Sequence, residues 1–206
     1  ESTISWDTFM SETTSKLNGL NGKQIVLLTQ SMPSPSTNKL IAAFKSKYGN
    51  VNHVAYDAVS ESATLDAYQA KYGTRGMANY DFSKAMTIVA IGADFLGDWQ
   101  GGGFESAYAK KRIPANGKMS RHIQFESNMS LSGANADKRV PLTPSQQKLA
   151  LAKLYSYVTG VALPGSLPEA LDKAVKDAAK ELSQAGSNAV VVSGIQDVNA
   201  QTTVLE

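Results

Sequence analysis

Asp94 and Glu126 each follow an apolar run, and two acids at neighbouring strand ends can do acid–base work or hold a cation. Arg112 and Arg121 are cations able to pair with them or with a ligand phosphate. Solvated loop acids bonded to nearby N–H groups, and plain structural ion pairs, are the simpler and favoured readings. His53 and His122 are the only histidines, each in or beside an apolar run, and there is no cysteine. Two histidines without thiolates make a poor transition-metal site, so both read as hydrogen-bonded structural residues. The lack of cysteine also excludes disulfides, iron–sulfur ligation and a thiolate nucleophile within these residues.

The glycine patterns are weak phosphate signals. Gly92 to Gly97 fits G-x-x-x-x-G, but Asp98-Trp99 follows where a phosphate loop needs lysine and a hydroxyl residue. Asp94 and Asp98 would repel phosphate as well. Gly101-Gly102-Gly103 precedes a short helical stretch whose free N–H groups could hold an anion, although a flexible surface loop is the favoured reading. No G-x-G-x-x-G and no G-x-S-x-G elbow occurs.

Apolar runs at 25–28, 51–55, 87–91, 122–125 and 189–192 read as strands. Between them lie helical patterns, including Leu40, Ile41, Phe44 and Tyr48, then Leu151, Leu154, Tyr155 and Val158, then Leu171, Ala174, Val175, Ala178 and Leu182. Ser31 to Thr37 reads as a turn and helix start, Ser166 as a helix cap, and the stretch through Gly133 and Asp137 as a long loop. Continuous apolar strands separated by helices predict an α/β fold with a mostly parallel, Rossmann-like sheet flanked by helices. Residues 1–22, with Trp6 and Phe9, are expected to form an extension packed outside a single domain spanning 23–204. In such sheets ligands bind beyond the carboxyl ends of the strands. Those ends carry Thr29-Gln30-Ser31, Gly92-Ala93-Asp94, Glu126-Ser127-Asn128 and Ser193-Gly194.

A hydrophobic content of 42% against 18% charged residues suits a sizeable core. The net charge is only +2, and no basic block exceeds Lys110-Lys111-Arg112, which is too sparse for nucleic acid. No apolar run approaches the roughly 18 residues of a membrane helix. The start at Glu1 rather than Met reads as a segment of a longer protein, and Leu205-Glu206 reads as a cloning scar.

Tyr80-Asp81-Phe82, the run Ile88 to Trp99, Tyr108 to Arg112, Met119 to His122, Glu126-Ser127 and Ser132 to Arg139 together resemble one family. It is the large iron–sulfur subunit of alternative complex III, a bacterial quinol:electron-acceptor oxidoreductase related to molybdopterin oxidoreductases. The likeness runs from about Trp6 to Val204, with Ile88 to Arg139 its specific part. It implies a domain of the dimethyl-sulfoxide-reductase or formate-dehydrogenase type, on the periplasmic side of a bacterial inner membrane. The implied partners are other subunits of a membrane-associated respiratory complex, with no nucleic acid and no direct membrane insertion. No cofactor is expected in this segment, iron–sulfur clusters being expected on a missing downstream region.

The implied cleft is vestigial and comprises Gly92, Asp94, Phe95, Glu126, Ser127 and Asp137. Cofactor binders of the wider family commonly end the equivalent strand in Gly-x-Asn-Pro, whereas Gly92-Ala93-Asp94-Phe95 sets a carboxylate where an amide would meet a diphosphate. Leu142-Thr143-Pro144-Ser145-Gln146 likewise stands where binders tend to carry Pro-Gly-Thr-Asp, while Ala136-Asp137 matches them. The expected role is a non-catalytic structural and subunit-interaction domain of a quinol-oxidising complex. The alternatives are a genuine binder of molybdopterin guanine dinucleotide and an independent nucleotide-binding α/β enzyme.

Overall fold

The computed structural model describes residues 2–32, 34–114 and 117–206. It has the expected α/β fold, with parallel strands flanked by helices. The described residues form two compact units, Glu1–Val59 and Ser60–Glu206.

In the first unit, α1 (Trp6–Asn18) starts where the Ser5 hydroxyl accepts the Thr8 N–H. Two strands, β1 (Ile25–Thr29) and β2 (Val51–Ala55), pair in parallel through α2 (Pro35–Tyr48). Ser34 caps α2 and Pro35 fills its first turn, so the expected helix start is present, with Pro33 outside the described residues. Continuous apolar runs predict strands buried on both faces. Instead β1 alternates half-buried and exposed positions, with Val26 and Leu28 exposed, and the pair forms a sheet of its own.

The second unit holds α3 (Ser62–Tyr72), β3 (Thr87–Ile91), α4 (Glu105–Arg112), β4 (Arg121–Glu126), α5 (Leu131–Asn135), β5 (Lys138–Pro141), α6 (Pro144–Thr159), α7 (Glu169–Ala185), β6 (Ala189–Ser193) and α8 (Val198–Leu205). Its sheet is entirely parallel in the order β5-β4-β3-β6. β3 lies between β4 and β6 and is buried at every residue. That is why its sequence, Thr-Ile-Val-Ala-Ile, is apolar without alternation.

Each face of the sheet carries its own core. Val89, Ile91, Ile123 and Phe125 pack against α6, α7 and α8 through Leu151, Leu154, Val175 and Ala200. Ile88, Ala90 and Val192 pack against Phe82, Phe95, Trp99, Phe104 and Tyr108. Phe82 stacks on Phe95 with ring centroids 4.5 Å apart, and Tyr80, Trp99 and Phe104 continue the aromatic layer.

Two local expectations are corrected. The stretch expected to be a long loop holds α5 and β5. β5 is an edge strand of sequence Lys-Arg-Val-Pro with Val140 as its one buried residue, so it leaves no apolar run to find. Ser166 does not cap α7, because Pro168 holds the cap position and its carbonyl accepts from Leu171 and Asp172. Among the described residues no helix is long and apolar enough to cross a membrane.

Candidate functional site

The carboxyl ends of β3 and β4 bring four of the six expected residues together. Gly92, Asp94, Glu126 and Ser127 line a cleft of about 320 Å³, joined by Asn128, Ser130, Pro144 and Gln147. The other two lie elsewhere. Phe95 is fully buried in the aromatic layer. Asp137 precedes β5 and so sits at the opposite, amino end of the strands, where it accepts the His122 N–H at 2.7 Å.

One oxygen of Asp94 and both oxygens of Glu126 are engaged within the domain. Asp94 Oδ1 accepts the Ser132 N–H at 2.8 Å, and the Ser132 hydroxyl accepts the Leu96 N–H at 2.9 Å. These bonds tie the loop after β3 to the start of α5. Glu126 is 3% exposed, and its Oε1 accepts from Arg139 Nε at 2.6 Å and from the Ser130 N–H at 3.2 Å. Its Oε2 accepts from the Ser130 hydroxyl and from Gln124 Nε2. A buried carboxylate so fully bonded has little free lone-pair capacity left for a ligand. Gly133 makes this possible, because a Cβ there would collide with the Glu126 carboxylate.

Strand order 3-2-1-4 normally opens a crevice between the two strands that turn opposite ways. The corresponding neighbours are β3 and β6. Their ends touch, since the Gly194 N–H donates to the Ile91 carbonyl at 3.0 Å and a Cβ on Gly194 would overlap the Gly92 carbonyl. The backbones leaving β3 and β6 therefore stay in direct contact just past the strands.

Beneath the cleft runs a buried polar chain that the sequence does not announce. His122, Gln124 and Glu126 alternate along β4 and face the aromatic layer. Gln124 Nε2 donates to the Ala93 carbonyl at 3.1 Å and to Glu126, so its Oε1 faces His122 Nε2 at 3.0 Å. That ring nitrogen therefore carries the proton. Nδ1 lies 3.2 Å from the Tyr108 hydroxyl, which donates to the Asn135 carbonyl at 3.1 Å. Burial pushes the His122 imidazole down to about 4, with the Gln124 hydrogen bond opposing it. Below the chain, Arg112 donates a fork to Asp137 at 2.8 and 2.9 Å. Burial alone would raise the Asp137 carboxyl, but Arg112 and the His122 N–H outweigh it and hold it below its ordinary value.

A pH dependence follows from His122. The unfolded chain takes up a proton near pH 6.5, and the folded chain refuses it until about pH 4. Stability from this group is complete above pH 6.5 and falls as the pH drops towards 4, by roughly 3 kcal/mol in all. Urea midpoints measured from pH 7 to pH 4 are expected to show this decline, and His122→Gln is expected to flatten it. An unchanged slope in the variant would assign the acid sensitivity to other groups.

The remaining expected features are structural too. His53 Nε2 lies 2.9 Å from the Thr29 hydroxyl, and the Ser31 N–H donates to Asp57 across the ends of β1 and β2. Arg121 pairs with Glu181, not with Asp94 or Glu126. The glycine loop before α4 contains Gln100 in the left-handed region at φ 51°. Among the described residues no group of three or more His, Cys, Asp or Glu could hold a metal ion.

No family model and no curated protein matches the chain. Its fold is similar to a chain in the crystal structure of the formyltransferase/hydrolase complex (FhcABCD) from Methylorubrum extorquens, solved with methylofuran. The TM-score is 0.60 at 17% identity, over 95% of this chain and 52% of that one. This chain thus spans about half the length of its structural neighbour. At that identity the likeness establishes the fold alone.

These findings correct the family expectation. The neighbour belongs to a formyltransferase/hydrolase complex, a different family from molybdopterin oxidoreductases, and nothing matched supports alternative complex III. The role in a quinol-oxidising complex derived from a molybdopterin oxidoreductase falls with it. The motifs that carried it have structural work in this fold: Asp94 anchors α5, Phe95 packs in the core, and Asp137 pairs with Arg112.

Proposed function

We propose that this chain is an assembly domain within a subunit of a multi-subunit enzyme, docking neighbouring polypeptides and holding no cofactor at its strand ends. The observation that carries this reading is the engagement of Asp94, Glu126 and Gly194 in bonds internal to the domain. A strand-end site that binds a ligand keeps polar groups free and pointed into a crevice. In this domain the acids hold loops together, and the backbones leaving β3 and β6 pack in direct contact. The neighbour from Methylorubrum extorquens is itself part of a complex, which agrees with a role in assembly.

Native mass spectrometry of the protein purified from its own cells tests the reading. It is expected to travel with other polypeptides at a fixed ratio.

A further inference from the structure

Away from the strand-end cleft, α6, α7, α8 and the start of β6 enclose a second recess of about 320 Å³. Its walls are apolar, with Leu151, Leu154, Val158, Leu182, Val191 and Val204 as the main contributors. Val191 on β6 and Val204 on α8 pack against the core yet are only partly buried, so the recess leaves core surface in contact with water. That surface favours an apolar occupant.

The polar groups at the recess are spoken for. The Ser183, Thr159 and Thr203 hydroxyls each donate to a carbonyl one helical turn earlier, at 3.0, 2.8 and 2.9 Å. The Tyr155 hydroxyl donates to Glu206 at 3.2 Å. The hydroxyl donors at the recess are therefore satisfied within the domain. The Glu206 carboxylate on the lining also opposes a negatively charged head.

We infer that the recess between α6, α7, α8 and β6 binds a single uncharged hydrocarbon chain. The inference goes beyond the assembly role and stands without it. The volume sets the length: at roughly 30 Å³ per water-sized group, the recess holds about ten such groups. A recess lined by four elements suits a slender chain better than a flat partner surface does.

Calorimetric titration of the full chain with straight-chain alcohols tests this. 1-Decanol is expected to bind saturably with one molecule per chain. Affinity should rise about fifteenfold for every two methylenes from 1-hexanol to 1-decanol, since each buried methylene contributes about a fourfold factor. The gain should stop beyond about ten carbons, so 1-tetradecanol binds no tighter than 1-decanol. Decanoate at pH 8 should bind at least tenfold more weakly. Val158 is nearly half exposed at the recess, so Val158→Trp should fold normally and weaken 1-decanol at least tenfold. Val191→Phe, which narrows the recess from the sheet side, should do the same. Absence of saturable binding would overturn the inference. So would affinity that keeps rising to fourteen carbons, which is unspecific partitioning, or binding that both variants leave unchanged.

Discussion

Gly194→Ala is expected to destabilise the second unit by about 3 kcal/mol or more, because overpacking against backbone cannot be relieved by a rotamer change. The added Cβ would overlap the Gly92 carbonyl and crowd the Ala93 Cα, all main-chain atoms. Relief requires β3 and β6 to part at their carboxyl ends, which breaks the bond from Gly194 N–H to the Ile91 carbonyl. The effect is steric and not conformational, since Gly194 does not occupy the left-handed region. Gly76→Ala is the matched control, with open space around its Cβ and no positive φ, and should change stability by less than about 0.5 kcal/mol. Urea denaturation separates the two, with the midpoint falling and the slope preserved in Gly194→Ala. A midpoint like that of the control would show that the two strand ends do not meet as described.

The second large effect is expected at Arg139. Arg139→Ala leaves Glu126, 3% exposed, without its cation; breaking a buried pair from one side costs about 3–5 kcal/mol, and the partly exposed Arg139 side chain lowers the figure. The Ser130 and Gln124 bonds remain and should keep the loss towards the lower end of that range. Removing both charges behaves differently. In Glu126→Gln/Arg139→Met the amide keeps an acceptor for Ser130 and the methionine keeps the apolar stem, so most of the loss should return. A double-mutant cycle on urea midpoints, closed with the single variants Glu126→Gln and Arg139→Met, measures the coupling. A coupling near zero would contradict a buried pair and make Glu126 an accessible cleft acid.

Much of the fold is legible in the sequence because its apolar strands have no alternative. Thr87–Ile91 and Ala189–Ser193 carry unbroken β-branched and small apolar residues, and both lie where the sheet is packed on its faces. The helix α5 is only five residues long, too short to repeat the helical spacing that Leu171, Ala174, Val175 and Ala178 display in α7. β5 owes its place to pairing with β4, so neither element announces itself locally. β4 shows a different limit. His122, Gln124 and Glu126 alternate with Ile123 and Phe125, a pattern that ordinarily means one face towards water. Here the polar face is buried beneath α4 and the aromatic layer, and only the tertiary contacts of Tyr108, Ala93 and Arg139 make that possible.

The candidate site is half legible for the same reason. Strand ends put Gly92, Asp94, Glu126 and Ser127 beside one another, since a parallel sheet sets them on one edge. Their engagement is not readable, because Ser130, Ser132 and Arg139 come from the segment whose sequence reads as a loop. Phe95 and Asp137 entered through family likeness. Packing and strand polarity, not sequence proximity, decide their places.

Native mass spectrometry of the protein released gently from its own cells tests the assembly account most directly. The account predicts one dominant species in which this chain is joined to other polypeptides at a fixed ratio. A monomer that by itself turns over a substrate bound at Gly92, Asp94 and Glu126 would contradict it.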